Sequence, residues 1–379
     1  MTDHETPMAL AGLKVLDLSR ILAGPYAAQM FADLGADVVK VENPDGGDDT
    51  RRWGPPFTTK ADGGRGDAAY FSACNRNKRS ITVDFAVRAG ANLLRDLAAK
   101  ADIIVENFRP GGLQKYGLDY ASIAAINPGI IYCSITGFGQ TGPYANRPGY
   151  DFLIQGMGGL MSITGQPGES PGAGPVKVGV AVCDLFTGLF TANAALAALA
   201  YRNRTGKGQH IDVAMAATML AVHEKAHAEL AGLDDSKQGE PFMLTAPQSR
   251  FIRIPSGQVV VIAANPIWTP ALKRYARMMR RWDLVTDKRY KTPELRRENF
   301  KTLMQEIINW AATFRTVSDL EAQIRESGLA LGELKTMKTF AESEWGKHWG
   351  AVRDLDDGEG GKIKVPGLPW KFSETNCEP

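Results

Sequence analysis

Several residue groups in this chain have types and spacings that could do chemistry. In HEKAH, His223 to His227, the spacing puts both imidazoles on one helix face with Glu224 beside them, as in a zinc protease. A third ligand would have to come from His4, His210 or His348, and so short a pattern arises readily by chance on polar helices. A solvated helix face is the expectation, and no metal. GFGQTG (137–142) matches GxGxxG after a strand, but Pro143 and YANRPGYD follow at once where a dinucleotide site needs a helix to open. A glycine-rich loop that brings backbone close to some other ligand fits better. NRNKRS (75–80) and NFRP (107–110) set Lys78, Arg79 and Arg109 at strand or loop boundaries. Such cations suit phosphate groups, and an ordinary basic surface would look the same.

The most informative stretch is VKVGVAVCDLFTGLFTANAALAALA (176–200). An apolar run ends at Cys183, and Asp184 then precedes a long helix rich in Ala and Leu. Asp is a favoured helix N-cap, and capping alone suffices to explain it. A carboxylate between an apolar run and a Gly-rich segment can also serve as a nucleophile in covalent acyl transfer.

The elements that must position these groups alternate. LKVLDL (13–18), ADVVKVE (36–42), KRSITVDF (78–85), DIIVE (102–106) and IIYCSIT (130–136) read as strands. YAAQMFADL (26–34), after a loop at Ala23-Gly24-Pro25, and VRAGANLLRDLAAKA (87–101) read as helices. This alternation predicts an α/β fold with a parallel sheet covered by helices on both faces. Ligands of such sheets bind beyond the carboxyl ends of the strands, here 19–25, 43–53, 107–116 and 137–150. Residues 137–188 hold 13 glycines, whereas 245–345 hold only three, so the second region differs in kind. It starts with a hairpin pattern at 250–264 around Ser256-Gly257, continues with helical patterns at 268–282, 293–313 and 317–327, and is locally basic. It reads as a separate α+β domain, and the tail with KIKVPGLPW (362–370) is expected to rejoin the first.

Composition bounds the function. The chain has 379 residues, a net charge of +2 and 23% charged residues, which argues against nucleic acid or an anionic membrane as the main partner. Four cysteines without CxxC spacing suggest a reduced, intracellular protein without disulfides or structural zinc. The N-terminus lacks a signal-peptide pattern and no apolar run approaches the roughly 18 residues of a membrane span, so a soluble cytoplasmic protein is expected.

The segments 10–42, 75–85, 101–120 (ADIIVENFRPGGLQKYGLDY), 134–151 (SITGFGQTGPYANRPGYD) and 204–215 (RTGKGQHIDVAM) occur in an order that resembles the class III CoA-transferase family, which includes formyl-CoA transferase, carnitine CoA-transferase and α-methylacyl-CoA racemase. The resemblance is dense over 10–216 and continues to about 345. It implies a Rossmann-like large domain built from both chain ends, a smaller α+β domain, and two chains interlocked as a homodimer. The corresponding boundaries are 1–216 for the large domain, 217–244 for a linker helix and loop, 245–330 for the small domain and 331–379 for the returning segment. It implies a transferase of CoA between an acyl-CoA and a free carboxylic acid, with Asp184 as nucleophile, mixed-anhydride and aspartyl–CoA intermediates, and no cofactor or metal beyond the CoA substrate. By position it implies CoA contacts at Leu22, Ala23, Val83, Asn107, Phe108, Arg109, Lys115, Tyr116, Arg147 and Tyr150, with Arg109, Lys115 and Arg147 on phosphates. Two departures sharpen this. The racemase branch carries a histidine where this chain has Tyr150, so transfer is expected over α-proton exchange, the alternative at the same site. Residues 235–250 lack the glycine run of formyl-CoA transferase, and Leu22 replaces its glutamine, so an acid larger or more apolar than oxalate or formate is expected.

Overall fold

The computed structural model describes residues 7–166, 174–223, 229–232, 251–356 and 362–377. The chain divides into two compact units, residues 1–239 with 344–379, and residues 240–343.

The first unit is built on six parallel strands: β1 (Lys14–Asp17), β2 (Asp37–Glu42), β3 (Arg79–Thr82), β4 (Ile103–Glu106), β5 (Ile131–Thr136) and β6 (Gln209–Ala214). Their order is β3-β2-β1-β4-β5-β6. This is the doubly wound order, in which the winding reverses between β1 and β4 and leaves a crevice beyond their carboxyl ends. The central strands are buried and rich in Val and Ile, as a sheet covered on both faces requires. Leu16 lies opposite Val39 on one side and Ile104 on the other, which fixes the register at the switch point.

On one face, helix α1 (Ala23–Asp33) packs against the long helix α4 (Val182–Thr205). Ala23-Gly24-Pro25 therefore forms the first turn of α1 rather than a loop, a position where proline is tolerated because its missing N–H has no helical partner. Gly188 allows the two helices to touch, since a Cβ there would lie 2.8 Å from the Ala23 carbonyl oxygen. Helix α2 (Arg88–Ala98) covers the other face through Ala91, Leu94 and Ala98. Two further helices, α3 (Asp151–Met157) and α5 (Met215–Ala221), lie beside α4.

The stretch between β2 and β3 is not a plain loop. Asp48 caps a helical turn at Asp49–Arg52 by accepting the Thr50 N–H, and Phe57–Thr59 pairs with Arg65–Ala68. The sequence expectation that no apolar run reaches membrane length is also corrected. α4 has 24 residues and a mean hydropathy of 1.5 over its most apolar window, enough for a span by length and composition. In the fold its Thr187, Gly188, Thr191, Ala192, Ala195 and Ala198 are buried in the protein, with both threonine hydroxyls donating to helix carbonyls.

The second unit contains the expected hairpin, Ile252–Arg253 against Val259–Ile262, with Gly257 at a positive φ of 88° in its turn. Leu331–Glu333 adds a third antiparallel strand, so this unit extends past the boundary at 330 expected from the sequence. The helical pattern at 293–313 is broken at Asn299 into Pro293–Glu298 and Phe300–Ala311. In the tail, Val352–Asp356 pairs with Lys362–Pro366 and belongs to the first unit.

Candidate active site

Beyond the carboxyl ends of β1 and β4 lies a cleft of about 450 Å3, within the usual range for small-molecule sites. The β1–α1 loop contributes Arg20, Ile21, Leu22 and Ala23, and the β4 loop contributes Asn107, Phe108, Arg109 and Pro110. Asn107 joins the two loops: its Oδ1 accepts the Arg20 N–H at 2.9 Å and its Nδ2 donates to the Arg20 carbonyl at 2.7 Å. Ile21 between them sits at a positive φ of 71°, a strained conformation for a β-branched residue, with its N–H directed at the Asp48 carboxylate.

The opposite wall comes from GFGQTG and NRPGYD. Gly137 and Gly149 are in backbone contact there, and a Cβ on Gly137 would lie 2.5 Å from the Gly149 Cα. The glycine-rich segment thus works by close approach of two backbones rather than as a dinucleotide fingerprint. Arg147, stacked 3.8 Å over the Tyr144 ring, and Tyr150 complete this wall.

Asp151 and Asp184 meet at the floor of the cleft. Asp184 does not cap α4. It occupies the third helical position behind Ala181, the residue at the cap, whose side chain makes no capping bond. Its carboxyl is pushed up to about 7, first by burial and then by the negative charge of Asp151. These effects outweigh the helix N-terminus, which favours a carboxylate. Asp151, 9% exposed, accepts the Cys183 N–H at 2.8 Å and the Gln155 side-chain N–H at 2.7 Å. Neither Asp151 nor Gln155 stood out in the sequence. The only local signal was their spacing of four in a helix starting at Asp151.

The structure thus brings Leu22, Ala23, Asn107, Phe108, Arg109, Arg147, Tyr150 and Asp184 to one cleft. It does not bring Val83, Lys115 or Tyr116 to that lining. Val83 is buried in the core beneath β3, and Lys115 lies 4.7 Å over the Tyr116 ring on a helical turn at Gln114–Tyr116. Tyr116 connects to the cleft residue Phe108 through aromatic packing: Phe108 meets Phe85 edge-on at 5.7 Å, and Phe85 meets Tyr116 at 5.2 Å. A smaller hollow of about 150 Å3 shares Arg20 and Phe108 with the cleft and reaches Phe85.

The phosphate reading of Lys78 and Arg79 is overturned. Lys78 is buried and donates to Asp17 at 2.8 Å, Asn75 at 2.9 Å and the Pro25 carbonyl at 2.7 Å. Arg79 pairs with Asp37 at the surface. Another hollow, of about 560 Å3, includes Lys40, Arg51, Arg76 and Lys78 in its lining. Its cations are held by Asp48, Glu42, Asp33 and Asp17, so that hollow offers no uncompensated charge from them. Of the HEKAH pattern, residues 224–227 lie outside the described residues, as do 235–250, where the missing glycine run was read.

The doubly wound α/β fold thus sets a pair of carboxylates and three arginines in the switch-point crevice, where such folds bind their ligands. The sequence model of CoA-transferase family III matches residues 10–379, and the chain belongs to that family. It is 39% identical over 368 residues to the succinate–glutarate CoA-transferase of Agrobacterium fabrum, covering 97% of this chain and 90% of that protein. It is 37% identical over 376 residues to the succinyl-CoA:glutarate CoA-transferase of Mus musculus, covering 98% and 83%. Among solved structures, a CAIB/BAIF family protein from Brucella suis superposes with a TM-score of 0.84 at 42% identity, covering 98% of this chain and 94% of that one. The parallel central sheet is common to both, and the chain is a family III CoA-transferase acting on acyl-CoA and carboxylic acid substrates.

Proposed function

We propose that the chain moves CoA between succinyl-CoA and a dicarboxylic acid of four or five carbons, with Asp184 as the covalent relay. The observation that carries this reading is Asp184 itself, half-buried on the floor of the switch-point cleft and held near neutrality in its ionisation. The substrate class follows from the names of the relatives, which transfer CoA with succinate or succinyl-CoA and glutarate, D-citramalate or mesaconate. Such acids are larger than oxalate and formate, as the departures from formyl-CoA transferase led one to expect, but they are not apolar.

In this scheme an Asp184 oxygen attacks the thioester carbonyl carbon, the C–S bond breaks, and a mixed anhydride and CoA thiolate form. The thiolate attacks the aspartyl carbonyl carbon and expels the donor acid as its carboxylate, leaving an aspartyl–CoA thioester. The acceptor carboxylate attacks that thioester and releases the thiolate again. The thiolate then attacks the acceptor's acyl carbon, which yields the new acyl-CoA and regenerates the Asp184 carboxylate. No net proton is exchanged, and each step exchanges acyl groups of similar reactivity, so the sequence runs both ways. Of the cations lining the cleft, Arg109 and Arg147 suit the CoA phosphates, and the hollow that reaches Phe85 offers a path for the nucleotide end.

Transfer is favoured over α-proton exchange because Tyr150 stands before Asp151 and the described residues lining the cleft include no histidine. We further infer a cytoplasmic homodimer. Phe186, Leu189 and Phe190 on α4 and Phe152 and Met157 on α3 are exposed, an apolar surface suited to a second copy of the chain. No cofactor or metal beyond the CoA substrate enters the scheme.

The test is Asp184→Ala. It should bind acyl-CoA nearly as the parent does while CoA transfer falls to background. Hydroxylamine added during turnover should mark Asp184 in the parent protein. Transfer at the parent rate in Asp184→Ala, or solvent exchange of the α-proton without transfer, refutes the reading.

A further inference from the structure

Helix α4 opens without a cap of its own, because Ala181 precedes it and offers no side-chain acceptor. The acceptor comes from 32 residues earlier in the chain. Asp151 Oδ1 takes the N–H of Cys183, the residue bonded to Asp184, at 2.8 Å. Asp151 Oδ2 accepts a hydrogen bond from Gln155 Nε2 at 2.7 Å, and Gln155 Oε1 accepts the Val178 N–H at 2.9 Å. Gln155 is 0% exposed, so this chain of bonds lies inside the protein and ties the segment entering α4 to its first turn. Both Asp151 oxygens act as acceptors, as an ionised carboxylate does.

We propose that Asp151 is the positioning residue of the nucleophile, capping α4 in place of Ala181 and setting a fixed negative charge against the Asp184 carboxylate. The inference rests on the reading of Asp184 as nucleophile. Its consequence is chemical as well as geometric. When Asp184 is acylated, its charge passes to the leaving thiolate, and the anhydride and thioester are neutral. The repulsion from Asp151 is present in the free carboxylate and relieved in both intermediates, so it favours every acylation of Asp184. The raised ionisation of Asp184 agrees with this, since Asp151 follows burial as its cause. The other titratable groups coupled to the pair are Tyr70, on the helix Ala69–Asn75, and Cys183 on α4. Both are pushed up to about 12, chiefly by burial, and stay neutral over the working range. Arg109, Arg147 and Arg20, the last paired with Asp49, are the cations of the same cleft.

The experiment compares the full-length protein with Asp151→Asn and Asp151→Ala, using succinyl-CoA and glutarate as probes. Measured are kcat, KM and the pH profile of kcat, with hydroxylamine mapping of the parent alongside. Asp151→Asn keeps an oxygen for the Cys183 N–H but loses the charge. Its acid limb should move down by roughly half a unit to one unit, with KM for the thioester changed less than about threefold. Asp151→Ala also loses the cap, and kcat should fall by about a hundredfold. A pH profile of Asp151→Asn superposable on the parent, or an Asp151→Ala kcat within about twofold of it, overturns the proposal. Should Asp151→Ala fail to fold, the isosteric Asp151→Asn decides alone through its pH profile. Label on Asp184 together with an unmoved profile removes only the role of Asp151. Label elsewhere removes the Asp184 reading and this inference with it.

Discussion

Replacing Lys78 with methionine tests whether the buried ion pair beneath the β1–α1 loop holds the cleft. The Lys78 side chain is 1% exposed and that of Asp17 is 0% exposed. All three ammonium protons have partners, on Asp17, Asn75 and the Pro25 carbonyl at the start of α1. Asp17 in turn accepts the Ser19 N–H at 3.0 Å and the Ser19 hydroxyl, which sets the path of the chain into Arg20–Ala23. Burial pushes the Asp17 carboxyl up, but Lys78 and Lys40 together pull it below its ordinary value. Burial pulls Lys78 down more than Asp17 supports it. Two lysines serve Asp17, whereas Lys78 has the one carboxylate as an ion-pair partner, so the acid gains more from the arrangement than the base. Lys78→Met strands Asp17 in the interior and should cost about 3–5 kcal/mol, a large part of the roughly 5–15 kcal/mol that holds a native domain. The double variant Asp17→Asn/Lys78→Met removes both charges and should be less damaged than the two single losses summed, with a coupling of about 2 kcal/mol or more. Urea denaturation of the four proteins gives the coupling, and KM for the acyl-CoA should rise in Lys78→Met as the loop shifts. Because the folded Asp17 value lies below the unfolded one, its stabilising share is complete above the ordinary 3.8 and is lost as pH falls toward the folded value. A loss below about 1 kcal/mol for Lys78→Met, or strict additivity in the double variant, would refute the role given to this pair.

Other outcomes follow from the same geometry. Since burial and Asp151 push the Asp184 carboxyl up to about 7, kcat/KM should rise with pH through that value as the carboxylate forms, and a profile flat from pH 5 to 8 (about three units around it) would contradict the assignment. Gly137→Ala should force the two glycine segments of the cleft wall apart at Gly149, lowering kcat by about tenfold or more, while Gly179→Ala, where a Cβ meets nothing within 4 Å, should stay near the parent rate. Arg147→Gln and Arg109→Gln should each raise KM for the thioester by roughly tenfold, with a smaller effect for Lys115→Gln, whose side chain lies outside the cleft. Equal effects at all three positions, read by titration calorimetry with CoA, would place Lys115 on the ligand after all.

Five of the six parallel strands were legible, the central ones as short apolar runs such as IIVE and IYCSIT, whereas β6 (QHIDVA), half-buried and polar, was not read as a strand, and the ordered motifs identified the family. Asp184 was legible as a candidate, though local pattern alone made it a helix cap, since an aspartate before an apolar helix most often is one. What local pattern could not supply is any contact between distant segments. Lys78 and Arg109 look alike in the sequence, yet one is locked to Asp17 across 61 residues and the other lines the cleft, a difference that depends on which distant segment each meets. The cap of α4 comes from Asp151, 32 residues away, so no inspection of the helix start could find it. By itself the sequence determined the class of fold and the family, because these depend on pattern and order along the chain, and it offered the Asp184 carboxylate as a candidate through the family resemblance. The tertiary structure alone decided the ionisation of that carboxylate and the company it keeps, because burial and like-charge repulsion exist only once distant segments share the same space.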